Sequence, residues 1–336
     1  VNFESSKILD FNDKAVFVTG GTGSFGQALT QHIVDNYKPR KLILYSRDEL
    51  KQYEMAQRFP LERYPFIRFF IGDVRDLSRL EMATREVDYI IHTAALKHVP
   101  IAEYNPFECV ATNILGTENV VRAALTNGVT RAIMLSTDKA ASPTNLYGAT
   151  KLAAERIFVA ANVLAGSRAT RFSVARYGNV LGSRGSVVPY FRRLIADGSD
   201  HLPITDPRMT RFWITLSQGV YFVLSCLTNM QGGEVFVPKL PSTKMTDLAT
   251  TLAPHLPQKT VGIRPGEKLH ETMVTVDEAR DTIDAGDRYI ILPKFLGEAP
   301  HQAIGSPVAE GFSYCSEFNT EVLDEASLCK LLQGVD

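Results

Sequence analysis

Six short apolar runs mark the first half of the chain: Ala15–Thr19, Lys41–Tyr45, Ile67–Ile71, Asp88–Thr93, Arg131–Ser136 and Phe172–Arg176. Each is rich in Val, Ile, Leu or Phe and is continuous rather than alternating. A strand with one wet face alternates, whereas a continuous run suits a parallel strand covered on both faces. Helix-forming stretches lie between the runs, notably Phe25–Tyr37, Pro106–Asn127 and Leu146–Ala165. This alternation predicts an α/β fold with a doubly wound parallel sheet. After about Asn179 the rhythm breaks and Gly, Pro and Ser become frequent. A helical stretch Leu216–Thr228 and a strand Glu234–Val237 are expected to return to the sheet. The remainder predicts a smaller domain of loops and short helices, with the boundary near residue 180.

Composition narrows the function. Over 336 residues, 36 Lys+Arg face 37 Asp+Glu, a net charge of −1 that argues against a nucleic-acid backbone as main partner. Hydrophobic residues make up 45% and charged ones 22%, enough apolar material for a sizeable core. No apolar run is long enough to span a bilayer, and the first residues lack the apolar segment of a secretory signal. Cys109, Cys226, Cys315 and Cys329 lie far apart without C-x-x-C spacing, so free thiols in a reducing cytoplasm are expected, with no metal site.

The first run leads into Gly20-Gly21-Thr22-Gly23-Ser24-Phe25-Gly26. Glycines at 20, 23 and 26 between a strand and a helix suit a dinucleotide. They let the backbone approach a pyrophosphate while the helix aims free N–H groups at it. Thr22, Ser24 and Phe25 belong to the same turn. The second strand ends Ser46-Arg47-Asp48, with Lys51 one helical turn beyond Arg47. Arg47 can pair with a 2′-phosphate, which favours NADP, while Asp48 is the kind of group an NAD enzyme uses for the ribose hydroxyl. Asp73-Val74 after the third strand is the expected adenine contact, and Thr93 ends the fourth.

The fifth strand ends Thr137-Asp138-Lys139 at the edge that faces ligand in such sheets. Tyr147 and Lys151 follow, four apart on a predicted helix and so on one face. A phenol is a poor base at neutral pH, and an ammonium beside it favours the phenolate. Lys151 can also bond the nicotinamide ribose. An exposed Tyr–Lys pair and a surface Asp–Lys pair are the plain alternatives.

Taken together, the glycine turn, the Thr–Tyr–Lys set, Asn113-x-x-Gly116-Thr117 and Arg176-Tyr177-Gly178-Asn179-Val180 resemble the extended short-chain dehydrogenase/reductases. That likeness implies a Rossmann-type sheet with a smaller C-terminal substrate domain, and Asn113 near the cofactor. The stretches AALKHVPIAEYNP, LSTDKAASPTNLYGATK, RYGNVLGSRGSVVPYF, MTRFWIT and GIRPGEKLHE are similar to the inverting UDP-N-acetylglucosamine 4,6-dehydratases that open pseudaminic acid synthesis. The likeness covers roughly residues 14–277.

It implies a chemistry. Oxidising C4 to a ketone makes the C5 hydrogen acidic, water is lost across C5–C6, and the hydride returns to C6. By resemblance Tyr147 takes the C4 hydroxyl proton, Thr137 holds the C4 oxygen, Lys139 acts at C5 and Asp138 protonates the departing C6 hydroxyl. Asp138 must then hold a proton, and Lys139 must be neutral when it acts as base, which burial near Lys151 and a positive nicotinamide would favour. Retaining relatives carry Asp-Glu where this chain has Asp138-Lys139, so inversion is implied. For the substrate the likeness points to Lys97 facing the sugar or cofactor crevice, and to Asn179, Val180, Arg184, Arg211, Arg264 and Glu267. A homo-oligomer built on dimers, up to a hexamer, is also implied. The rivals are a retaining dehydratase, a 4-epimerase, or a non-catalytic NADP-binding sensor.

Overall fold

The computed structural model describes Phe3, residues 8–293 and residues 305–334. Strands β1 (Ala15–Thr19), β2 (Lys41–Ser46), β3 (Ile67–Ile71), β4 (Tyr89–His92), β5 (Arg131–Thr137) and β6 (Arg171–Tyr177) pair in parallel, in the order β3-β2-β1-β4-β5-β6. The order reverses at β1, which pairs with β2 on one side and β4 on the other. A crevice opens beyond the strand ends at such a point. All five residues of β1 are buried, as its unbroken apolar run requires.

Helices α1 (Ser24–Asn36), α2 (Glu49–Arg58), α3 (Leu77–Ala83), α4 (Val99–Tyr104), α5 (Pro106–Val110), α6 (Gly116–Thr126) and α7 (Leu146–Ala165) make the connections. The single helix expected over Pro106–Asn127 is instead α5 and α6 joined by a π-helical turn, Ala111–Leu115. The cause is local. Asn113 in that turn accepts from the Leu96 N–H (2.8 Å) and donates to the Leu96 carbonyl (3.0 Å) and the Thr150 hydroxyl (3.0 Å), which holds the wider turn open.

The rest of the chain runs β7 (Asn179–Val180), α8 (Val187–Ala196), β8 (Leu202–Ile204), β9 (Thr210–Ile214), α9 (Leu216–Asn229), β10 (Val235–Pro238), β11 (Ser242–Lys244), α10 (Met245–Leu252), β12 (Gln258–Thr260), β13 (Thr272–Val274), α11 (Val276–Ala279), β14 (Thr282–Asp284), β15 (Arg288–Ile291), β16 (Ser306–Pro307), β17 (Tyr314–Cys315) and α12 (Glu325–Gln333). Strand β10 joins β6 in parallel, and β15, β14 and β16 then extend the same sheet antiparallel. Those three strands lie in the stretch expected to form a separate domain of loops and short helices. Among the described residues the main sheet instead has ten strands, and the segments around α8, α10 and α12 form an apolar cluster apart from it, with Trp213 in its core.

One buried ion cluster fastens the two halves. Arg176, 1% exposed, donates to Glu155 of α7 (2.6 Å) and to Glu278 of α11 (2.8 Å), and also to the Met273 carbonyl (2.9 Å). Burying a guanidinium is tolerable only with this degree of compensation. Among the described residues no helix is long and apolar enough to cross a membrane. All four cysteines are free of disulfides.

Candidate active site

A cleft of about 740 Å³ runs along the carboxyl ends of β1, β2, β4 and β5. At one end its wall is the glycine turn. Gly20 has φ +64°, and a Cβ there would stand 2.7 Å from Thr93 Oγ1, so this turn excludes a side chain. Gly23 caps α1 without a side-chain acceptor, which leaves the first N–H groups of the helix free for an anion. The turn is braced from below. Thr93 donates to the Thr19 carbonyl (2.6 Å), Thr19 shares a hydrogen bond with His92 Nδ1 (2.7 Å), and His92 Nε2 meets Thr117 (3.1 Å). Burial holds the His92 imidazole neutral, its pKa pushed down to about 3, so it serves as a strut rather than a base. No local sequence pattern marks His92, which stands at the end of β4 with partners on two other elements.

Beyond β2 and β3 the cleft wall carries Ser46, Arg47, Asp48, Lys51, Asp73 and Val74. Asp48 is already engaged: it caps α2 through the Lys51 N–H (3.0 Å) and pairs with Lys51 Nζ (2.7 Å). Arg47 lies 3.4 Å from Asp73, and its side chain is 49% exposed.

The other end is built by β5, the 3₁₀ turn Asp138–Ala140 and α7. Asn145 caps α7 by accepting from the Gly148 N–H (2.8 Å). Gly148 is required there, because a Cβ would collide with the Lys139 carbonyl. That close approach brings Tyr147 beside the turn. Thr137, Lys139, Tyr147 and Lys151 all line the cleft. Lys151 is 4% exposed and donates to the Leu135 carbonyl at 2.7 Å. Burial pulls its pKa down to about 8 against the influence of Glu155. Burial pushes the Tyr147 phenol up to about 12, while Lys139 and the Thr137 hydroxyl pull it back. Lys139 is the cation that lowers the phenol pKa, and Lys151 lines the same cleft.

Lys139 bridges two buried carboxylates, Asp138 Oδ1 at 2.9 Å and Glu271 Oε1 at 3.0 Å. Burial opposes its charge, but the two carboxylates outweigh burial and hold the ammonium above the ordinary lysine range. The two carboxylates thus favour the charged form of Lys139, where burial alone favours the neutral one. Asp138 is also placed differently. It is 1% exposed, absent from the cleft wall, and accepts from Thr137 (2.9 Å) and Lys139 through Oδ1, while buried Oδ2 has no hydrogen-bond partner.

Of the residues expected to hold the substrate, Lys97, Asn179, Val180 and Arg184 line the cleft. Arg184, however, donates to the Thr22 carbonyl (2.5 Å), and its N–H to Ser24 (3.2 Å), so it sits on the glycine turn. Lys97 donates to the Arg184 carbonyl (3.0 Å). Arg211 is 9% exposed, outside the cleft wall, and donates to the carbonyls of Thr210, Lys268 and Leu269. It is a buried brace, not an open phosphate clamp. Arg264 and Glu267 form a loose pair (3.8 Å) on a loop off the cleft wall. Asn113 is likewise off the wall and acts through the Leu96 backbone.

Three buried hydroxyls on the cleft wall, Thr112, Ser136 and Ser186, have no hydrogen-bond partner. Together with the cradle at Gly20 and the free end of α1, they fit an elongated, phosphate-bearing dinucleotide.

Residues 16–293 match the model of the family described as "Polysaccharide biosynthesis protein". The chain belongs to this family. Within the polysaccharide biosynthesis proteins, it is 55% identical over 334 residues to the UDP-N-acetylglucosamine 4,6-dehydratase (inverting) of Campylobacter jejuni, covering 97% of this chain and 99% of the relative. It is 40% identical over 288 residues to a UDP-glucose 4-epimerase of Rickettsia canadensis, covering 84% and 83%. Among solved structures, Pen from Bacillus thuringiensis superposes with a TM-score of 0.89 at 35% identity, covering 97% and 99%. The fold is also that of DesIV, a dTDP-glucose 4,6-dehydratase from Streptomyces venezuelae solved with NAD bound (TM-score 0.68, 22% identity, covering 76% and 86%). The architecture is that of the extended short-chain dehydrogenase/reductases.

Proposed function

We propose that this chain removes water from UDP-N-acetylglucosamine across C5 and C6 with inversion at C5, yielding UDP-2-acetamido-2,6-dideoxy-β-L-arabino-hexos-4-ulose. The observation that carries the reading is Lys139 on the cleft wall beside Tyr147. A 4-epimerase has no use for a proton carrier at C5. The 55% identity to an inverting dehydratase along nearly the whole chain points the same way.

The dinucleotide is NADP in this reading. The glycine turn and α1 hold its pyrophosphate, Ser46 and Arg47 its adenosine ribose, and Lys151 its nicotinamide ribose. Asp48 is spent on capping α2 and pairing with Lys51, which leaves Arg47 to meet a 2′-phosphate. When bound, the nicotinamide accepts a hydride from C4 and returns it to C6, so no external reductant is consumed.

The residues handle protons. Tyr147 takes the C4 hydroxyl proton, and Thr137 holds the C4 oxygen. Lys139, once neutral, takes the C5 proton as the bonding pair moves toward the C4 ketone. The departing C6 hydroxyl takes a proton and leaves as water. Because Asp138 lies behind Lys139, its proton reaches the sugar through Lys139 Nζ or the Thr137 hydroxyl, to both of which it is bonded. Two protons leave the sugar and two are consumed, one by water and one by C5.

Free thiols fit a cytoplasmic setting. A homo-oligomer belongs to the same reading, and Tyr104 (88% exposed) and Phe107 (85%) offer apolar surface for a second copy to cover. NMR of the product formed from UDP-N-acetylglucosamine in D₂O tests the whole: a C4 ketone, a C6 methyl and an inverted, deuterated C5 are expected. Interconversion at C4 without water loss would instead establish an epimerase.

A further inference from the structure

We infer that Glu271 is a positioning residue for the proton chemistry of Lys139: it holds the ammonium at the cleft wall and, with Arg211 and Lys268 behind it, sets how readily the proton is released. This rests on the dehydratase reading above.

Glu271 lies just before β13, and its side chain is 2% exposed. Its Oε1 is 3.0 Å from Lys139 Nζ and 3.7 Å from Arg211 Nε, and Lys268 Nζ stands 4.0 Å from Oε2. The carboxylate is fixed from its own backbone: its N–H donates to Ser316 Oγ (2.9 Å), and its carbonyl accepts from the Ser316 N–H (2.8 Å). The charged and titratable groups facing Lys139 are Asp138 from its own turn, Tyr147 from α7, Arg211 from β9, and Lys268 and Glu271 from the segment before β13. His270 turns elsewhere, bonding Thr210 (2.8 Å) and facing Glu317 (3.6 Å).

A buried carboxylate needs a compensating cation in every state the site visits. Glu271 has two sources. While Lys139 is charged, the ammonium supplies the compensation. When Lys139 is neutral, Arg211 and Lys268 still do. Lys139 can therefore become a base without stranding a buried charge, and it returns to the same place when reprotonated. The step itself needs no redox partner: the C5–H bond breaks, its electron pair moves into the C4 enolate, and the proton joins Nζ.

The test follows C5–H exchange into D₂O by NMR, using the holoenzyme with NADP and the 4-keto product across a pH series. This reads the Lys139 step without C4 oxidation. Exchange by the unmodified enzyme rises with pH as Lys139 is neutralised. Glu271→Gln keeps the shape and removes the charge, so the rising limb moves down by about one pH unit or more. Lys268→Met removes a neighbouring cation, so the limb moves up. Glu271→Asp restores the original limb in part. A folded Glu271→Gln enzyme whose limb coincides with the unmodified one overturns the inference, as does an effect confined to KM for UDP-N-acetylglucosamine. If Glu271→Gln does not fold, Lys268→Met decides, and an unmoved limb overturns the inference. Absence of any 4-keto product from the unmodified enzyme fails the dehydratase reading instead.

Discussion

The Arg184 guanidinium donates to the main-chain carbonyl of Thr22 at 2.5 Å, which latches the loop after β7 onto the turn that begins the dinucleotide site. The loop is latched a second time where the Arg184 N–H meets Ser24 (3.2 Å). Arg184 thus couples the loop after β7 to the glycine turn. Arg184→Ala is expected to weaken NADP binding about tenfold, the scale of one charge-assisted hydrogen bond. The fold should stay intact. Fluorescence titration of NADP beside a thermal melt checks both, and a change in KM for the sugar nucleotide alone would assign Arg184 to the substrate.

Arg47 and Asp48 make opposite arguments about the cofactor, and the geometry favours Arg47. Arg47→Ala should lower affinity for NADP about tenfold or more and leave affinity for NAD nearly unchanged. Competitive binding of the two dinucleotides measures the ratio. An equal loss for both would mean that Arg47 touches a part they share.

Lys151 is a buried cation whose pKa has fallen to about 8. The sign of its pH effect follows from linkage. Between about pH 8 and 10.4 the unfolded chain holds this proton and the folded chain does not, so stability rises with pH across that window. Below it the folded chain carries a constant penalty. Lys151→Met should therefore cost at least about a hundredfold in kcat while leaving the chain folded. Any melting advantage of the variant should shrink as pH rises from 8 to 10. Urea melts of both forms at several pH values decide this.

The sheet was legible because burial on both faces writes itself as continuous apolar runs: β1, β3 and α7 have the bounds the runs predict. The Tyr147–Lys151 pair was legible because helical spacing places both on one face. The added strands β14, β15 and β16 were not, since two to four residues are too few to show a period. Asn113 breaks a helix through bonds to Leu96, a partner that no local pattern names. Arg211 looked like a phosphate clamp because sequence shows a charge and not the three carbonyls that occupy it. Glu271 was invisible for the same reason. Its partner Lys139 lies on a different element, and only the tertiary fold brings the ammonium between two carboxylates.

The central claim is that one hydride is lent and returned within a single sugar. Deuterium placed at C4 of UDP-N-acetylglucosamine follows it. After turnover by the holoenzyme, mass spectrometry and NMR should find the label in the C6 methyl of the 4-keto product, with none in solvent or in released NADPH. Label that stays at C4, or that never arrives at C6, contradicts the account.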